Sequence, residues 1–141
     1  MITPSVPRSA YDPVDGLLYF ARMIEKIRLH ARGALREDFH DNLGKGADHW
    51  CVGFLHITYD ALKQRVLEGG SDEEVLGWCM TRGRELNDVD RLVWNQFVTK
   101  LGWNDFVTPR LEVLKTQSGF AERVDILTMT EYFEIDEGRK S

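Results

Sequence analysis

Residues 58–78 read Thr58-Tyr-Asp-Ala-Leu-Lys-Gln-Arg-Val-Leu-Glu-Gly-Gly-Ser-Asp-Glu-Glu-Val-Leu-Gly-Trp78. Thr58 can accept a hydrogen bond from one of the orphan N–H groups of a helix start, and Gly69-Gly70 lets the backbone leave right-handed space and stop that helix. Ser71-Asp-Glu-Glu74 is a capping box, in which the serine hydroxyl holds the N–H of Glu74 and the glutamate reaches back to the N–H of Ser71. A start, a stop and a new start this close together predict short helices following one another rather than strands.

The same punctuation extends in both directions. Asn87 or Asp88 opens a helix in which Val89, Leu92, Val93, Trp94, Phe97, Val98 and Leu101 cover more than half of the wheel, which predicts the central helix of the core. Thr108-Pro109 reads as a cap followed by proline at the first helical position, and Ser118-Gly119 ends that element. Asp125 is expected to cap a last helix with Ile126, Met129 and Phe133 inward, before residues 136–141 trail into solvent. Upstream, a helix over 14–32 is stopped by Gly33, with Phe20, Ile24, Ile27, Ala31 and Ala34 as its core stripe. Leu18 and Leu29 lie on its opposite side, a second apolar strip that predicts contact with another layer or with a second copy of the chain. Asp48 is expected to cap a short helix through about residue 55, although the strand-like composition of 51–59 leaves a strand open. Residues 1–13, with Pro4, Pro7 and Pro13, are expected to form an extended arm. The expected architecture is all-α, a single domain over 1–141 of six or seven short helices.

Composition bounds the function. The 141 residues are 43% apolar and 11% aromatic, enough for one packed core. A net charge of −5 argues against nucleic-acid binding, which depends on neutralising phosphates. No apolar run approaches the ~20 residues of a membrane span and the first residues lack a signal-peptide core, so a soluble, cytoplasmic protein is expected. Cys51 and Cys79 lack CxxC spacing and read as buried thiols.

Catalytic motifs are absent at sequence level. Gly44-Lys45-Gly46 has His49 where a dinucleotide loop needs its third glycine, and no phosphate-binding GxxxxGK[ST] occurs. His49 and His56 would sit roughly 10.5 Å apart along a helix, too far to share a small metal ion, so neither a metal nor a cofactor is expected. The serines fall in caps or termini, which disfavours a nucleophilic hydrolase. A helix-turn-helix over 71–101 would open its recognition helix with Asn87-Asp-Val-Asp90, placing carboxylates where phosphates should approach. Arg22, Lys26, Arg28, Arg32 and Arg36 form one basic stretch. It reads either as a solvated face with i,i+3 ion pairs or as a face that receives a small carboxylate or phosphate ligand, or the acidic C-terminus of the chain itself.

Lys26-Ile-Arg-Leu-His30, the segment 54–62, Asp72-Glu-Glu-Val-Leu-Gly-Trp78, Trp94-Asn95 and the tail Asp136-Glu-Gly-Arg139 together resemble a family of small bacterial proteins known as a domain of unknown function. The resemblance spans nearly the whole chain and implies one domain, but no activity, cofactor or catalytic residue. A shared pocket is expected among Arg28, His30, Tyr59, Asp60 and Trp94. Arg28 would grip an anion, Tyr59 and Trp94 would form an aromatic wall, and Asp60 with His30 would exchange a proton. The functional expectation is a binding or interaction module, paired as a homodimer through Leu18 and Leu29. The alternative is an enzyme acting on a small anionic metabolite by acid–base chemistry.

Overall fold

In the computed structural model, which describes residues 4–141, Thr58 accepts from the N–H of Ala61 and caps α3 (Tyr59–Leu67). Ser71 and Glu74 form both bonds of the capping box at the head of α4 (Asp72–Arg82). Asn87 and Asp90 form a second box opening α5 (Asp88–Lys100). Around these stand α1 (Phe20–Ala31), a 3₁₀ helix (Glu37–Asn42), α2 (Ala47–Leu55), α6 (Thr108–Gln117) and α7 (Met129–Asp136). No strand forms among the described residues, and the fold is all-α as expected. None of these helices is long and apolar enough to cross a membrane.

The centre of the fold is α1, not α5. Phe20, Ala21, Met23 and Ile24 are fully buried, and α1 packs on both α3 and α4. At about 25 cal/mol per Å² of apolar surface, each large side chain in this set contributes roughly 1.5–3 kcal/mol. On α5 only Trp94 and Val98 are buried, whereas Val89, Leu92 and Val93 are 65%, 59% and 59% exposed. The helical wheel counts apolar residues around the whole helix, but α5 finds neighbours on one side only. Its inner side meets α7 and the 14–19 turn.

Several boundaries differ from expectation for local reasons. Residues 14–19 are a turn closed by reciprocal Val14 and Leu17 backbone bonds, with Asp15 and Gly16 at positive φ, so α1 begins only at Phe20. Residues 51–55 are helical, ended by His56 in the left-handed region. Gly46 precedes α2, and Asp48 is no cap but a fully buried carboxylate. Thr108 is the first residue of α6, where its hydroxyl bonds the 102–105 loop. Thr128 caps α7 in place of Asp125, which pairs with Arg123.

The expected ends also change character. From Pro4 onward the N-terminal segment is non-helical but docked rather than a free arm: Ser5 pairs with the Leu35 strand-like backbone, and Ala10 and Val14 are buried. Residues 1–3 of the expected arm lie outside the described residues. The tail does not trail into solvent, because Asp136 pairs with Arg36 and Glu137 with Arg22. Leu29 is spent within the chain against Ala34, Leu35, Phe39 and Leu43, and Leu18 packs on the main core, so this strip is covered by its own chain. Cys51 and Cys79 are both buried free thiols.

Candidate functional site

Arg22 and Lys26, four residues apart, share one side of α1 next to its apolar stripe, and Tyr19 precedes the helix as its N-cap. All three are buried, and each is held by a partner from another element. Asp48 of α2 is fully buried. Its Oδ1 accepts the Tyr19 hydroxyl at 2.7 Å and the Lys26 Nζ at 2.7 Å, and its Oδ2 accepts the Gly44 N–H at 3.1 Å. Lys26 also donates to the Tyr19 oxygen at 3.2 Å, so two of its three N–H groups are committed. Arg22 forms a two-pronged bond to Glu137 at 2.8 and 2.7 Å, donates to the Arg8 carbonyl at 3.1 Å, and lies 4.2 Å from the Phe133 ring centroid. Buried charge is stable only when paired in this manner.

The backbone at Tyr19 is strained to make this arrangement. Its φ of 75° is rare for a bulky residue and costs on the order of 1–3 kcal/mol. The N-terminal segment and α5 hold it there. Its N–H bonds the Ala10 carbonyl, and the preceding Leu18 is clamped by α5, donating to Asn95 Oδ1 at 2.9 Å and accepting from Trp94 Nε1 at 2.9 Å. The phenol then lands on Asp48.

Tyr19, Arg22 and Lys26 line a cavity of about 610 Å³ bounded by α1, the 3₁₀ segment, α2, α5, α6 and α7. Beside Tyr19, six further rings line it, Phe39, Trp50, Phe97, Phe106, Tyr132 and Phe133, with Trp94 deeper in the wall. Trp50 meets Phe97 and Phe106 edge-on at 6.0 and 5.1 Å, and Phe106 is left 66% exposed. The cavity's charges are unequal in a way that a simple count hides. Its acids are engaged, Glu137 by Arg22 and Arg139, and Asp38 and Asp136 by Arg36. The side chains of two of its cations, Lys45 and Arg110, have no partner among the described residues.

Burial pulls the Lys26 ammonium below the ordinary lysine range. The charge of Arg22 adds to this, against the opposing pull of Asp48 and Glu137. Burial, reinforced by the Asp48 charge, pushes the Tyr19 phenol well above its usual value, so it stays protonated and donates to Asp48. The Cys51 thiol is pushed up by the same two causes and is inert.

The five residues expected to share a pocket are divided. Arg28 is bound to Asp72 at 2.5 Å and to the Gly70 carbonyl, and so carries a structural ion pair. His30 is exposed, edge-on to His40 at 4.8 Å, and shares with Tyr59 a smaller cavity of about 400 Å³. Tyr59 packs where a side chain on Gly44 would lie, and Asp60 is exposed in the first turn of α3. Trp94 stacks on Phe54 at 5.0 Å and is the one member that reaches the main cavity. The basic stretch does receive the acidic C-terminus, but through Arg22 and Arg36. Arg22 and Lys26 are therefore no solvated face. The signal for them was available in the four-residue spacing of Arg22 and Lys26, and in the odd polar Asp48 ahead of an apolar helix. Among the described residues no group of three or more His, Cys, Asp or Glu side chains could hold a metal ion.

No curated protein matches this chain. A family model described as a domain of unknown function, DUF5069, matches residues 4–139. That span takes in α1 through α7 and both ends of the Arg22–Glu137 pair, and the chain belongs to the DUF5069 family.

Proposed function

We propose that the protein binds a small organic anion with a flat apolar body, inserted among Trp50, Phe97 and Phe106 with its charged head toward Lys26, Lys45 and Arg110. The volume of about 610 Å³ falls in the range of small-ligand sites, which combine apolar lining with a few convergent polar groups. The observation that carries the reading is the asymmetry of pairing: every acid lining the cavity is engaged in an ion pair, with Asp38 and Asp136 sharing Arg36, while the side chains of Lys45 and Arg110 have no partner among the described residues. A carboxylate or phosphate head meets uncommitted donors there, whereas a cationic head meets only carboxylates that are already paired. Of the residues first grouped as a pocket, Trp94 alone enters this site. A cytoplasmic setting, where Cys51 and Cys79 stay reduced, is consistent with it.

Tryptophan fluorescence and calorimetry with benzoate, phenylacetate and indole-3-acetate, each beside its neutral amide, test the reading. The acids are expected to bind and the amides to bind more weakly. A Lys45→Ala, Arg110→Ala double variant should weaken acid binding by about tenfold, equivalent to ~1.4 kcal/mol, and leave amide binding unchanged. Equal binding of acids and amides, or none of either, would refute it.

A second reading, self-association, draws on the exposed Val89, Leu92 and Val93 face of α5 rather than on Leu18 and Leu29. Native mass of the wild type and of a Leu92→Glu, Val93→Glu variant tests it: a wild-type dimer that the variant dissociates is expected, and a wild-type monomer ends the reading.

A further inference from the structure

We infer that Lys26 is a nucleophilic amine that forms a Schiff base with a carbonyl-bearing anion, such as an aromatic 2-oxo acid, bound in the main cavity. The inference rests on the reading of that cavity as an anion site, and adds to it a covalent step and a substrate class.

Four observations converge on Lys26. It lines the cavity, yet only 9% of its side chain is exposed, so its Nζ sits at an apolar wall rather than in bulk water. Its Nζ keeps one N–H uncommitted after bonding Asp48 and Tyr19. Asp48, fully buried and 2.7 Å away, is positioned to take a proton from the ammonium, and the Tyr19 hydroxyl touches both groups and can relay it. The backbone strain at Tyr19 is retained although an ordinary helix start would avoid it. An Lys–Asp pair whose only role is structural needs neither the phenol nor the cavity.

The chemistry balances without an external reagent. The ammonium of Lys26 gives one proton to Asp48, and the freed amine lone pair forms the C–N bond as the carbonyl π electrons move to oxygen. That oxygen is protonated, with Tyr19 as the nearest donor to the reacting atoms. A second proton passes from nitrogen to the Tyr19 oxygen, the proton held by Asp48 is returned through Tyr19 to the carbinolamine hydroxyl, and the C–O bond breaks with its electrons departing with the oxygen as water. Ammonium plus ketone thus becomes iminium plus water, with Asp48 and Tyr19 restored to their starting states. Asp48, bonded directly to the reacting nitrogen, acts as its general base. Desolvation favours the amine that the first bond-forming step needs, with Arg22 on α1 in the same sense and Asp48 on α2 and Glu137 beyond α7 opposing it.

The test uses the full chain with phenylpyruvate and cyanoborohydride, read by intact mass and peptide mapping, beside tryptophan fluorescence with phenylpyruvate alone. One reduced adduct per chain is expected, on Lys26 in preference to Lys45, Lys63, Lys100, Lys115 and Lys140, and absent in Lys26→Arg. Lys115 is the informative comparison, since it is also buried but does not line the cavity. Tyr19→Phe should slow adduct formation by about 100-fold while leaving affinity for the unreactive phenyllactate unchanged, a split that a merely structural phenol would not produce. The trapping rate should also reach its plateau at lower pH than labelling of the surface lysines. Quenching of fluorescence without an adduct on Lys26 overturns the covalent step and leaves anion binding standing. Adducts spread over the surface lysines overturn it as well. Neither quenching nor adduct overturns both this inference and the anion-site reading.

Discussion

Replacing Glu137 by Gln removes the negative charge from a site where Arg22 stays buried, and the cost can be worked from the geometry. The two side chains are 1% and 2% exposed and share two hydrogen bonds of 2.8 and 2.7 Å. Removing one partner of such a pair typically costs about 3–5 kcal/mol, because the other charge is left desolvated and uncompensated. Two contacts moderate the loss: the Arg8 carbonyl and the Phe133 ring at 4.2 Å both still face the guanidinium. Arg139 also loses a bond to Glu137 but keeps Glu134 at 2.8 Å, and its side chain is partly exposed, so its share is below about 1 kcal/mol. The expected sum is about 3 kcal/mol. For a chain of this size that corresponds to a melting point lower by about 10 °C. Urea denaturation of the wild type, Glu137→Gln and an Arg22→Met, Glu137→Leu double variant measures it. The double variant should recover at least half of the loss, since no lone charge remains buried. A Glu137→Gln loss under about 1 kcal/mol, the size of a surface ion pair, would refute the account of this pair as a buried clamp.

Other outcomes follow from single positions. Gly83→Ala should cost about 3 kcal/mol or more, because a Cβ there would lie 2.1 Å from the Leu55 carbonyl oxygen and 2.8 Å from that of His56; a melting curve like the wild type would refute this packing. Gly77→Ala, on an open face of α4, should instead raise stability by up to about 1 kcal/mol, checked in the same denaturation series. Burial alone would raise the Asp72 carboxyl, but hydrogen bonds from Arg28 and Arg8 together with their positive charges hold it below the usual carboxylate range. A depressed carboxylate gives stability that is complete above its unfolded value and is lost as pH falls through the folded one, so Asp72→Asn should flatten the acid limb below about pH 4. Burial pushes the Cys79 thiol up to about 12 and Cys51 well above its ordinary value, so neither should react with a thiol reagent at pH 8 until the chain unfolds.

The helices were legible where the signal is local. Thr58, the Ser71–Glu74 box and Asn87 each cap the helix they open, because a cap is a contract among residues three apart. What depends on distant partners was not legible. Asp48 has the composition of a cap and the surroundings of a core, and only the approach of α1 against α2 decides between them. Apolar residues on α5 looked central because a wheel cannot tell which side another helix will cover. The sequence offers Arg28 to a ligand, yet Asp72, far along the chain, claims it at 2.5 Å. The main cavity draws on α1, α2, α5, α6 and α7, so no single stretch of sequence contains its outline.

The first and last described segments grip one another. Ser9 donates to Glu134 at 2.6 Å, Tyr11 to Glu131 at 2.7 Å, and Arg139 to the Pro7 carbonyl at 3.2 Å. The described segments are in effect a ring with one cut, and the helices that bound the cavity keep their cyclic order wherever the cut falls. A circular permutant that joins the two segments by a short flexible linker and opens between Gly69 and Gly70 should therefore keep every wall of the site. It would also turn the most distant pairings in the sequence into near neighbours, lowering the entropy cost of closing them and speeding folding.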